Sequence, residues 1–336
     1  MKKPLFVKAA EMYCPLGMSL EAATAAMRAG LDHFRESEFT DFYNSPLSGS
    51  YFDDLPKARL DRQVYLFEQV WQGCLARMPD LELEKTPLLL LVAEMPRPDL
   101  PRDFGQALFA ACTKDRSFHE ASRICAWGRA GLGLALPYAR KLLEEGAAKQ
   151  VLIVGVDSLL DFVTLVYFCM ENRLISPGNS DGFHPGEGAG ALVVSLEEEG
   201  EGLYLTGVGQ AEEAGHYLQT VQPNRAEGLT SAIRLAVAES GRPLVETSFH
   251  YSDCSGESFY FRESVLALVR CFEHTVPEYP HLVVGSTLGE TGAAVGPLLL
   301  AHCSRLLGRE DGFGRRALLH FSADNGKRAA IIAEYH

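Results

Sequence analysis

Residues 181–191 read Asp-Gly-Phe-His-Pro-Gly-Glu-Gly-Ala-Gly-Ala, and Leu-Val-Val follows at once. Gly182, Gly186, Gly188 and Gly190 allow positive φ and close backbone approach within a single turn. The apolar run behind them reads as a strand buried on both faces. Glu187, set among these glycines, is placed to tie down loop amides. A phosphate loop is disfavoured, because no GxxxxGK[ST] pattern occurs.

Around this segment, strand-like runs alternate with helix-like ones. Strands are expected at 5–10, 87–93, 151–156, 189–196, 203–207, 248–252 and 282–284, with a closing hairpin of 317–321 and 329–334. Helices are expected from an N-cap at Ser19 to Gly30, then at 61–78, 132–145, 229–240, 262–274 and 292–307. Gly146 suits the C′ position of the third, while Pro137 should kink that helix or mark its start. Turn formers and aromatics at 34–56 read as a long loop, and three prolines at 94–103 read as another. The run 151–156 lacks alternation, as in a parallel sheet covered on both faces. The alternation predicts a layered α/β fold with mostly parallel strands. A break near residue 200 suggests two related halves, 1–200 and 201–336.

Composition removes several function classes. Lys+Arg number 31 against 44 Asp+Glu, a formal net charge of −13. No basic cluster appears, so nucleic acid and anionic lipid are not expected partners. No run of about 18 apolar residues exists, so no membrane span is expected. The N-terminus makes a poor signal peptide, because Lys8 and Glu11 interrupt it. Eight scattered cysteines form no CxxC pair and have no histidine at metal-ligand spacing. They read as reduced cytoplasmic thiols, with no metal site and no cofactor expected. His119, His184, His216, His250 and His274 likewise lack partners at motif spacing. His250 ends a strand and is the one most worth inspecting. Glu197, Glu198 and Glu199 read as a solvated turn, and 259–261 as core or dimer surface.

The 181–191 segment closely resembles the "DGF..GEGAGAL" signature of β-ketoacyl synthases of the thiolase superfamily. Weaker likenesses follow in the right order. Cys14-Pro15-Leu16-Gly17 resembles "SPLG", Arg59-Leu60-Asp61-Arg62 an "R.D" helix start, and Val154-Gly155-Val156-Asp157 a "GG" strand end. Phe168 with Asn172-Arg173-Leu174 resembles an active-site Phe followed by "ALS". Ser286-Thr287, Thr291-Gly292 and Gly296 resemble "STK...TGH..GA.G", and 321–330 a closing loop that keeps Gly326, Ala329 and Ala330. The resemblance implies a five-layered thiolase-like fold built from two similar βαβαβαββ halves.

It also implies a Claisen condensation, and here the residues depart from the pattern. That chemistry needs a cysteine at a helix N-terminus, where dipole and amides favour thiolate and oxyanion. It also needs two histidines and a supporting lysine. By the resemblance, the nucleophile's place falls on Arg129, or on Cys125 if the preceding loop is counted differently. Asp253 and Ala293 take the histidine places, Leu288 the lysine's, and Asp324 that of a gating phenylalanine. The resemblance thus implies a member lacking the Cys-His-His triad.

A buried arginine requires an acid partner, and Asp253, Glu257 and Asp324 are the candidates. An Arg129–Asp253 bridge closing a vestigial pocket, with Phe168 on its wall, is preferred over a new polar site. Two function classes stay open. One is a non-condensing subunit, a homodimer or a heterodimer with an active ketosynthase, in the manner of a chain-length factor. The other is an acyltransferase or thioester hydrolase on acyl-carrier or coenzyme A substrates, with Cys125 displaced as nucleophile. A small-ligand binder reusing the acyl pocket is a third. An acyl carrier protein is a further implied partner, although such an acidic protein would need a basic patch that the sequence does not show. Segments 34–56 and 94–111 are shortened or altered against the family pattern, which points to a shrunken acyl channel.

Overall fold

The computed structural model describes residues 2–196, 200–274 and 276–336. The turn expected at Glu197, Glu198 and Glu199 lies outside them. In chain order the strands are β1 (Leu5–Tyr13), β2 (Phe34–Thr40), β3 (Pro46–Ser50), β4 (Leu88–Leu91), β5 (Arg123–Cys125), β6 (Gln150–Ser158), β7 (Glu187–Ser195), β8 (Leu203–Glu212), β9 (Phe249–Ser252), β10 (His281–Val283), β11 (Arg316–Ser322) and β12 (Lys327–Tyr335). The helices are α1 (Leu20–Arg28), α2 (Arg59–Arg77), α3 (Phe104–Thr113), α4 (Gly131–Glu144), α5 (Phe162–Met170), α6 (Glu227–Ser240), α7 (Ser258–Cys271), α8 (Gly285–Leu288) and α9 (Val295–Leu306).

Five strands run in the order β5-β4-β6-β7-β1, and five more in the order β10-β9-β11-β12-β8. The two orders are the same once each half is counted from its own first strand. A short antiparallel pairing, Leu5 with Leu205 and Phe6 with Tyr204, joins β1 to β8. Side-chain alternation then builds the layers. Leu88 and Leu90 of β4 face α2 and α3 through Phe67, Trp71 and Leu108. Leu89 and Leu91 face the other way, into a central core with Leu136 of α4, Leu299 of α9 and Leu319 of β11. Leu318 and Ile332 of the second sheet face α6 and α7 through Ile233 and Leu268. The order is therefore helices, sheet, α4 with α9, sheet, helices.

Three expectations need correction. The sheet is not mostly parallel. Only β4–β5, β4–β6, β9–β10 and β9–β11 pair in parallel, against five antiparallel pairs. Unbroken apolar runs report burial on both faces, which an antiparallel strand such as β7 can share. Segment 34–56 is not a loop but holds the hairpin β2–β3, with Phe34 opposite Ser50. Asp41 Oδ1 accepts from the Tyr43 and Ser45 amides at 2.9 and 2.8 Å, so the turn formers cap a hairpin. Pro137 does not start the third expected helix, because α4 begins at Gly131 and carries Pro137 inside it. That helix ends as expected at Gly146, φ +69°.

The 186–190 glycines have a packing reason. A Cβ on Gly190 would stand 2.7 Å from the Leu298 amide nitrogen, and one on Gly186 would stand 2.1 Å from the Leu288 carbonyl. Glycine lets α8 and α9 press directly on β7. Glu187 accepts from the Phe52 amide and the Ser158 hydroxyl, each at 2.8 Å, and from Arg62 Nη2 at 2.6 Å. Among the described residues, no helix is long and apolar enough to cross a membrane.

Candidate functional site

The halves meet at two matching turns. A single 3-10 turn precedes α4 at Gly128–Ala130, and another precedes α9 at Gly292–Ala294. Gly128 and Gly292 both take φ +52°. Each lies against a carboxylate. A Cβ on Gly128 would stand 2.0 Å from Glu94 Oε2, and one on Gly292 would stand 2.1 Å from Asp157 Oδ2. Arg129 and Ala293 are therefore equivalent positions of the two halves.

Arg129 is 5% exposed. It donates to Asp324 Oδ1 at 2.9 Å and to Glu290 Oε2 at 3.1 Å. Its Nε stands 3.8 Å from Asp253, an ion pair without a hydrogen bond. Its guanidinium also covers the Tyr260 ring at 4.1 Å. Arg173 follows α5. It grips Glu257 through Nε and Nη2, each at 2.7 Å, and also donates to Asp324. It lies over the Tyr217 ring at 4.0 Å. Tyr260 donates its hydroxyl to Asp324, which so accepts from three side chains. Arg97 holds Asp99 at 2.9 and 3.0 Å and reaches Asp157 at 3.5 Å.

These groups do not balance. Three guanidiniums (Arg97, Arg129, Arg173) face seven carboxylates (Glu94, Asp99, Asp157, Asp253, Glu257, Glu290, Asp324). Several of these acids are shifted upward. Burial, with repulsion from Asp324, pushes Glu94 up to about 7. Burial also pushes Asp253 to about 7 against the pull of Arg129. Asp157 and Glu257 move upward for the same reason. At Asp324 burial works upward too, but Arg173 and Arg129 win and hold it well below the usual carboxylate range. What remains open between Glu94, Arg97, Arg129, Phe168, Arg173 and Glu290 is a cavity of about 20 Å³. That is room for roughly one water molecule.

No family model matches the chain. Over 98 residues, 29% of its length, the chain is 35% identical to beta-ketoacyl-[acyl-carrier-protein] synthase III 1 of Streptomyces avermitilis, and the matched stretch spans 24% of that protein. Solved structures match throughout. A type II polyketide synthase acyl-carrier protein in complex with its ketosynthase matches at TM-score 0.82 and 14% identity, over 99% of this chain and 100% of that one. The ishigamide ketosynthase/chain length factor matches at TM-score 0.80 and 17% identity, over 100% of both. A ketosynthase in complex with its chain length factor from Xenorhabdus doucetiae matches at TM-score 0.74 and 14% identity, over 99% and 98%.

The chain has a thiolase-like ketosynthase fold.

Within that ketosynthase fold, Arg129, Phe168, Asp253, Glu257 and Asp324 come together as one buried cluster. Asp324, rather than Asp253, is the shortest partner of Arg129, and Glu257 serves Arg173 instead. Phe168 packs edge-on against Phe183 at 5.1 Å, beneath Arg173. Cys125 is elsewhere. It closes β5 with its side chain in the central core, and burial pushes its thiol up to about 12. Leu288 is fully buried at the end of α8. Ala293 contributes only its amide, which donates to Asp157 at 3.1 Å. No cysteine or histidine lines the cavity among the described residues. His119 accepts from the nearby Ala121 amide, while His184 and His216 pair with the distant Ser48 and Asp324 carbonyls.

Sequence reading missed Arg97, Arg173, Glu94, Glu290, Asp157 and Tyr260. Arg173 and Glu290 stand inside segments already matched to the family, and charge at such positions was the available signal. His250 has no partner at motif spacing in the sequence, but strand register gives it two in space. His250 stands with His281 and His320, one ring nitrogen of each lying within 4.8 Å of the others.

Proposed function

We propose that this chain is a non-condensing ketosynthase homologue of fatty-acid or polyketide type that works by pairing, as a chain-length-factor-like subunit or with a second copy of itself. The observation that carries this reading is the Arg129 side chain. It sits in the turn before α4, which the family resemblance matches to the nucleophile's place, and is bonded to Asp324 and Glu290 with about 20 Å³ left beside it. An acyl chain needs far more room. A guanidinium cannot act as nucleophile, nor can it give up its charge. Cys125 supports the same reading, since a thiol raised to about 12 by burial carries almost no thiolate at neutral pH.

The surface supplies a pairing face. Helix α5 exposes Phe162, Val163 and Met170, and the tip of the β2–β3 hairpin exposes Phe42 and Tyr43. Phe42, Tyr43 and Cys169 border one small hollow, so the two features adjoin. Exposed apolar side chains at these two features favour an interaction surface. The structural neighbours that pair a ketosynthase with a chain length factor favour a ketosynthase as partner, with an acyl carrier protein as a more transient one. The eight unpaired cysteines fit the reducing cytoplasm. The halves 1–200 and 201–336 act as repeats of one unit sharing the central core, not as separable domains.

Native mass spectrometry of the purified chain, alone and mixed with a type II polyketide ketosynthase, tests the proposal. A 1:1 complex or a homodimer, either one weakened by Met170→Asp with Val163→Glu, is the expected result. A monomer under every pairing overturns it.

A further inference from the structure

The outer face of the second sheet carries a second polar cluster that this proposed function does not use. His281 of β10 is register partner to His250 of β9, and His320 of β11 is register partner to Ser252 two residues along. Three adjacent parallel strands thus present three imidazoles to one space, beneath Ser264 and Phe261 of α7. His250 and His320 are buried, and His281 is half-buried on the edge strand, which leaves a way in from solvent. His250 Nδ1 stands 3.1 Å from His320 Nε2. Two imidazole nitrogens, each about 2.0–2.1 Å from a tetrahedral Zn²⁺, stand roughly 3.3 Å apart, so this pair is already at ligand spacing.

We infer that His250, His281 and His320 form a binding site for a divalent first-row transition metal, Zn²⁺ foremost, with Ser252 Oγ or a water as fourth ligand. The donor set suits zinc, copper or nickel and disfavours Mg²⁺ and Ca²⁺. Burial lowers the proton affinity of all three rings, so they sit in the neutral form that ligates. Two adjustments are needed. The His250 and His281 rings face each other at 4.0 Å and 18°, with their lone pairs side by side. His281 must therefore turn about its broad χ2 and release the Ser252 hydroxyl, now 2.6 Å away. The N–H shared between His250 and His320 must move to the outer nitrogen of whichever ring carries it. Each imidazole keeps one N–H, so no proton is lost overall. Ser264, 3.2 Å from His320 Nε2, gives up that bond. The bound ion pins the three-residue edge strand β10 to β9 and β11.

The test uses untagged, chelator-stripped protein titrated with ZnCl₂ by calorimetry, with Co²⁺ absorption reporting the ligand geometry. The expected result is one equivalent bound, a tetrahedral Co²⁺ spectrum and a thermal midpoint raised by Zn²⁺. His281→Ala should weaken binding at least tenfold while keeping the metal-free midpoint, because this ring is half-buried at an edge. His320→Asn is the second variant, read by the Co²⁺ spectrum. Absence of a saturable equivalent, or equal affinity in wild type and His281→Ala, overturns the site.

Discussion

Arg129 and His320 are equally deep, at 5% and 1% exposed, yet their surroundings differ in kind. Around Arg129 charge is retained and paired. The guanidinium cannot discharge, so its burial recruits Asp324 and Glu290, while burial pushes Glu94 and Asp253 up to about 7. Around His320 charge is avoided. Three imidazoles give up their protons, share hydrogen bonds with Ser252, Ser264 and one another, and stay free to take a new ligand. A cluster of fixed charges makes a rigid filling for a pocket. A cluster of dischargeable groups stays chemically available.

The largest expected effect breaks the charged cluster. Arg129→Ala leaves Asp324 and Glu290 short of a partner and should cost about 3–5 kcal/mol in denaturant unfolding. His281→Ala should cost less than about 1 kcal/mol, since its ring is half-buried and its serine partner can turn to water. Similar costs for the two would remove the contrast between the clusters.

Next come the acids within the charged cluster. Asp324→Ala takes one acceptor from each of two arginines, which keep Glu290 and Glu257, and should cost about 3 kcal/mol. Asp253→Ala should cost about 1–2 kcal/mol, through the Ser322 amide that it now serves at 2.8 Å. The reverse order would make Asp253 the main partner of Arg129, and an unchanged stability would exclude an Arg129–Asp253 bridge altogether.

Stability against pH sets the three imidazoles against the raised acids Glu94 and Asp253, while Asp324, held below the usual carboxylate range, adds to the acid limb. The folded values of His250, His281 and His320 lie below the unfolded 6.5, so their contribution is full above that pH and is lost as pH falls through and below it. Glu94 and Asp253 are raised to about 7, so theirs is full below the unfolded carboxylate range and is lost as pH rises through about 7. Each group titrated in one state alone adds a slope of about 1.4 kcal/mol per pH unit. His320→Asn should flatten the acid limb, and Glu94→Gln the limb toward neutrality. Either limb unchanged by its substitution would refute the assignment. The smallest effect is expected from Cys125→Ala, a loss of roughly 1 kcal/mol through a small core void and nothing more.

How far the sequence carried depends on range. Gly186, Gly188, Gly190 and Glu187 were legible because a close backbone approach demands glycine locally. The closing hairpin and the helix stop at Gly146 were legible for similar local reasons. The β2–β3 hairpin was not, because Asp41, Asn44 and the serines that build its turn look the same in a loop. Arg129 was legible as a misfit within a family pattern. Asp324 was legible as one of three candidate partners, but Glu290 was not, because it lies 161 residues away and arrives only in the folded chain. His250 and His320 stand 70 residues apart, beyond any motif spacing. Only the register of three parallel strands brings them together.

The most direct measurement is intact-protein mass spectrometry after incubation with acyl and malonyl thioesters, run beside Cys125→Ala. A non-condensing protein whose pocket is filled by Arg129 and its acids should show no adduct in either sample. A stable acyl adduct on the wild type that disappears in Cys125→Ala would contradict this, and would make the chain a working acyltransferase.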